Sequence, residues 1–133
     1  MKLCVSQRRQ AIIQQEERVP VYVDDPLWPF RGMIMCHMVA DSLDELHTMA
    51  ELVGMRREWF QDVPKASHPH YDLNQERRAL ALEFGAIYLP SKVLAKAVIA
   101  RRKAGNVGVL DIETARRWFA ENGLSERFAS RRG

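Results

Sequence analysis

A chain of 133 residues with 47% apolar and 28% charged residues can bury one real core, and it is too apolar to remain unfolded. No apolar run nears the ~18 residues of a membrane helix, residues 1–19 are too polar for a secretory signal, and Cys4 and Cys36 form no disulfide framework; the expected setting is a reducing cytoplasm, with no membrane. The net charge of +3 is uneven, with nine Lys or Arg against four Asp or Glu from Lys96 onward, so the first 95 residues carry −2. A basic C-terminal stretch of this kind suits a polyanion partner or a solvated helical face.

Residues 1–18, with Arg8-Arg9 and the polar run Gln14 to Glu17, read as an N-terminal arm. Val19 to Val23 is β-branched and aromatic and predicts a strand, ended by Asp24-Asp25-Pro26. Pro26 to Gly32 reads as a loop stiffened by two prolines, and Met33 to Ala40 as a second strand containing His37. Asp41 or Ser42 then caps a helix whose apolar positions run from Leu43 to Val53, with Ser42-x-x-Glu45 as capping box and Gly54 as stop.

Met55 to Gln61 predicts a third strand, followed by an irregular segment to Pro69. A second helix is expected from Asp72, with Gln75 as its reciprocal capping partner, to Phe84 and the stop at Gly85; Ala86 to Leu89 predicts a fourth strand. Ser91 and Asp111 cap two further helices, and Ser125 to Gly133 is a basic tail. Strands alternating with helices predict an α/β fold: a small, partly parallel sheet of about four short strands, flanking helices and a helical C-terminal extension. The expected organisation is an arm (1–18), an α/β core (19–90) and a basic helical extension (91–133).

All four histidines, His37, His47, His68 and His70, fall within 34 residues. His68-x-His70-x-Asp72 alternates as a strand does, which aims these side chains to one side. Asp24 and Asp25 at a strand's carboxyl end are expected to meet them, giving Asp24, Asp25, His68 and His70 as ligands for a divalent metal, zinc or manganese. Plainer roles compete: Asp72 as a helix cap, His37 as a core histidine, Asp24-Asp25 as a turn. Without metal, His68, Arg31, Arg77 and Arg78 would suit a phosphate, but neither GxGxxG nor GxxxxGK is present. Cys36 and His37, being neighbours on a strand, point to opposite faces and make no dyad.

The segment from Val21 to Ala86, with VYVDD, Leu27-Trp28-Pro29, CHMVADSLDELH, WFQ, HPHYD and FGA, resembles the domain-of-unknown-function family numbered four thousand and thirty-one. The matching positions are Tyr22, Asp24, Asp25, Trp28, His37, Trp59, His68, His70, Tyr71 and Asp72. The resemblance implies a small bacterial or phage-encoded domain and groups the polar positions together; it implies no biochemical role.

From the residues, the first expectation is a metal-dependent hydrolase acting on a phosphoester in a nucleotide or nucleic acid. Asp25 and His68 would serve in catalysis, and Arg31 or Arg78 would orient the phosphate. The alternative is a non-catalytic module binding a nucleotide, nucleic acid or protein, with a dimer left open.

Overall fold

The computed structural model describes residues 20–123, so the expected arm, Cys4 and the tail from Ser125 lie outside the described residues. Five strands, β1 (Val21–Val23), β2 (Trp28–Phe30), β3 (Met33–Ala40), β4 (Tyr71–Leu73) and β5 (Ile87–Tyr88), form one mixed sheet. Among the described residues four α-helices accompany it: α1 (Leu43–Leu52), α2 (Gln75–Glu83), α3 (Ser91–Lys103) and α4 (Ile112–Glu121).

The long strand β3 organises the sheet. β1 and β2 pair antiparallel with it in succession, Val23 opposite Met38 and Trp28 opposite Met35, and the Asp24-Asp25-Pro26 corner lies between them. β4 pairs with β3 through Cys36–Leu73, His37–Asp72 and Met38–Tyr71. β5 runs parallel to β1, the one parallel pair among the described strands.

Side-chain alternation divides the core in two. Val21, Val23, Cys36, Met38, Tyr71 and Leu73 pack with α1 and α2 through Leu46, Met49 and Ala81. Tyr22 and Val39 face the other way and pack with α3 and α4 through Val93, Ala97, Ala115 and Phe119. Each fully buried aliphatic side chain contributes about 1.5–3 kcal/mol, so α3 and α4 cover one face of the sheet with a core of their own. The result is three layers, helices on both sides of the sheet.

Local chemistry sets the boundaries. Ser42 Oγ accepts from the Glu45 N–H at 3.2 Å, and Asp111 accepts from Thr114 at 3.0 Å, both caps as expected. α2 starts three residues later than expected: Asn74 caps it, accepting from the Arg77 N–H at 2.9 Å, and Asp72 belongs to β4 instead. Met55 to Gln61 forms a 3-10 turn at Arg57–Trp59, and only Gln61 pairs, bridging to His70.

Trp28–Phe30 is a strand rather than a loop. β2 lies at an edge of the sheet, where Pro29 has no need of an N–H to donate. Its two-residue connection to β3, Arg31-Gly32, has positive φ at both positions, 51° and 79°, as a tight hairpin of the sheet's twist requires.

Candidate metal centre

Three side chains converge where β3 meets β4. His37 and Asp72 are direct cross-strand partners, so their side chains emerge on the same face. His70 precedes Asp72 by two residues and shares that face. One ligand atom from each of His37, His70 and Asp72 lies within 4.8 Å of the other two. His70 Nε2 is 3.4 Å from Asp72 Oδ1, and His37 Nε2 is 4.0 Å from the same oxygen. Tetrahedral bonds near 2 Å would hold such atoms about 3.3 Å apart. The His70–Asp72 edge already has that spacing, whereas the His37–Asp72 edge is longer.

Each of the three side chains is oriented from behind. Asp24, only 3% exposed, accepts the His37 backbone N–H at Oδ1 (2.7 Å) and places Oδ2 3.0 Å from His37 Nδ1. Trp28 Nε1 also approaches that nitrogen, at 3.1 Å. An indole N–H only donates, whereas a carboxylate only accepts, so Nδ1 serves one of the two. The buried Asp24 carboxylate has the stronger need, since Trp28 is half exposed. Nδ1 therefore carries the proton toward Asp24, and the Nε2 lone pair faces Asp72.

His70 repeats the device with a different acceptor. Its Nδ1–H donates to the His68 carbonyl at 3.0 Å, which again leaves Nε2 for the centre. Gln61 Nε2 donates to Asp72 Oδ2 at 2.6 Å and leaves Oδ1 to the histidines. A carboxylate, a carbonyl and an amide behind two imidazoles and a carboxylate are the outer partners that metal ligands use to fix tautomer and orientation.

Electrostatics follow from this packing. Burial favours neutral His70, but its hydrogen bonds to Asp72 and the His68 carbonyl outweigh burial and raise its pKa. Burial likewise opposes ionised Asp72, and hydrogen bonds from His70 and Gln61 overcome it, lowering its pKa. The two form an ion pair that a divalent cation would replace by expelling the His70 proton.

Of the four residues expected to hold a metal, His70 is in this group. Asp24 stands behind His37. His68 stacks on the His70 ring at 4.6 Å, its Nδ1 beside Ser67 Oγ at 2.9 Å, and burial with two neighbouring imidazoles lowers its pKa to about 4. Asp25 is engaged elsewhere: Oδ1 accepts from Tyr88 Oη at 2.6 Å and Oδ2 from the Ser91 N–H at 2.9 Å, at the first turn of α3. Arg78 donates from Nε to the Asp24 carbonyl at 2.9 Å and lies over the Tyr88 ring, bracing the corner that carries Asp24. Arg31 lies at the hairpin turn, with about 13 Å of strand between Met33 and His37.

The sequence-based ligand set did not include His37 and Asp72, which the structure brings together with His70. The strand-like alternation His70-x-Asp72 and the family resemblance, which groups His37 with both, were the signals for them; the contact of His37 itself comes from β3–β4 register, which no local pattern announces. His47, the fourth histidine, hydrogen-bonds Tyr71 Oη at 2.8 Å and packs edge-on to Phe60, away from the centre. Cys36 points into the opposite core, as alternation predicts, and burial pushes its thiol up to about 12.

No helix among the described residues is long and apolar enough to cross a membrane. No curated protein and no solved structure matches the chain. The family match covers residues 21–101, from β1 into α3, and so spans the whole centre with its outer partners. The chain thus belongs to the family described as Protein of unknown function (DUF4031).

Proposed function

We propose that the domain is a small metal-dependent hydrolase acting on a phosphoester, with His37, His70 and Asp72 holding one divalent ion, zinc by preference. The observation that carries it is that three convergent ligand atoms, each oriented by an outer partner, sit on one face of the sheet with His37 and Asp72 partly exposed. Two imidazoles and one carboxylate are a zinc set, and they suit manganese or iron where water completes an octahedron. A structural zinc is enclosed by four protein ligands, whereas three leave a position for water.

Bound water there would ionise near neutral pH. Its oxygen would form the new bond to phosphorus while the ester oxygen departs with a proton from solvent. The metal would neutralise charge building on the phosphoryl oxygens. Asp24 would stabilise the positive charge that His37 acquires on ligation, and Gln61 would hold Asp72 in place. Asp25 and Arg78 would act as supports of this corner, given the partners they hold. A phosphoester is favoured over an amide by the arginines that flank exposed rings, Arg31 over Phe30 and Arg56 and Arg77 over Trp59.

Elemental analysis of full-length protein purified without an affinity tag, paired with hydrolysis of bis(p-nitrophenyl) phosphate, tests the reading. Roughly one ion per chain, with turnover lost on chelation and in Asp72→Asn, is expected. Protein that takes up no zinc, manganese or iron on reconstitution, or turnover unchanged in Asp72→Asn, would overturn it.

A further inference from the structure

We infer that the β2–β3 hairpin is a stacking platform for unpaired bases, so that the substrate is single-stranded nucleic acid; this rests on the phosphoester reading of the metal centre and names its substrate class. Met33, Met35, His37 and Val39 alternate onto one face of β3. Val39 is core and His37 is at the centre, while the next two rows leave the cover of the helices. Trp28 is the cross-strand partner of Met35, and Phe30 of Met33. The face that holds the metal ligands therefore continues outward as two rows of aromatic and methionine side chains.

These rings are open. Trp28 is 48% and Phe30 53% exposed, and Met33 beside them is exposed as well. Large rings exposed side by side on one strand are uncommon on a monomer's surface without a ligand to cover them. Trp28 meets the His37 ring edge-on, with centroids 5.3 Å apart, which makes the platform continuous with the centre. Successive rows on a strand face lie about 7 Å apart, so Trp28 and Phe30 each take a separate base while the phosphate between sugars reaches the ion.

Charge selects the occupant. The guanidinium of Arg31 lies 5.2 Å from the Phe30 centroid, at the far end of the platform, where it meets a phosphate remote from the metal. An apolar peptide or a lipid tail would gain nothing from that cation, whereas a nucleotide strand offers both the ring and the anion. A duplex hides its base faces in its own stack, so the platform selects unpaired strands.

Binding of a fluorescent oligothymidine to the full-length chain in EDTA, with zinc uptake measured in parallel, tests this. Phe30→Ala should weaken the oligonucleotide about tenfold, Phe30→Trp should retain it, and a duplex should bind less well than the single strand. Zinc uptake by Phe30→Ala should equal that of the parent, because Phe30 does not touch the ligands. Unchanged affinity in Phe30→Ala, or equal binding of duplex and single strand, would overturn the platform. So would a dimer in sedimentation that Phe30→Ala dissolves, since the rings would then be covered by a second copy. A parent that binds no metal but loses the oligonucleotide in Phe30→Ala would uphold the platform and refute the hydrolase.

Discussion

His37 of β3 and Asp72 of β4 face each other across the sheet, Nε2 and Oδ1 4.0 Å apart, although 34 residues separate them along the chain. Strand register alone creates this neighbourhood, and Asp24 and Gln61 hold its two members from behind. Outer partners of metal ligands have a measurable worth. Asp24→Asn keeps an oxygen for the His37 backbone N–H but loses the charge that faces Nδ1. We expect zinc affinity to fall about 10–100-fold, measured by competition with a chelating dye, with the fold retained by circular dichroism.

Asp25 makes the contrasting prediction. Its carboxylate joins Tyr88 Oη to the first N–H of α3, and the Ser91 hydroxyl accepts the Asp25 N–H in return at 3.2 Å. Asp25→Ala should cost about 3 kcal/mol in urea unfolding, because hydrogen bonds to a charged, buried acceptor are lost. Zinc affinity of the folded fraction should be unchanged. A variant of normal stability that no longer binds zinc would place Asp25 at the metal instead.

The stacked His68 gives a pH dependence. Its folded pKa is about 4 against an ordinary 6.5, so between those values the unfolded chain holds a proton that the folded chain refuses. The metal-free protein should therefore gain stability as pH rises from about 4 to 6.5. His47, also lowered by burial, adds to the same slope. His70, raised by Asp72, acts in the opposite sense and above 6.5, where stability falls as the proton leaves. His68→Gln should flatten the acid slope without abolishing it; an unchanged slope in urea melts across this range would show that His68 titrates freely.

Cys36 should be silent to thiol reagents. It is buried against the α1–α2 side of the sheet with its pKa pushed up to about 12, so no thiolate is at hand. In a Cys4→Ser background, Ellman's reagent should react only after denaturant is added. Rapid modification of the native protein would contradict the burial described.

Much of the fold was legible because it is local. A β-branched run gave β1, a short apolar run gave β3, and Ser42 and Asp111 announced α1 and α4. The start of α2 was not, since Asp72 and Asn74 are both good caps; pairing with β3 claimed Asp72 for the sheet and left the helix to Asn74. Pro29 disguised β2, because a proline is a strand breaker except at an edge. Trp59 and Phe60 have strand-like side chains, yet the chain turns there and only Gln61 finds a partner. For the centre, the His70-x-Asp72 spacing was visible, whereas His37 depends on a register between strands distant in sequence, where a one-residue slip would turn it into the opposite core.

Diffraction at the zinc edge, from crystals grown with zinc, would locate the ion. One anomalous peak is expected about 2 Å from His37 Nε2, His70 Nε2 and Asp72 Oδ1, absent in Asp72→Asn. A peak elsewhere with those three atoms unligated, or one that persists in Asp72→Asn, would contradict it.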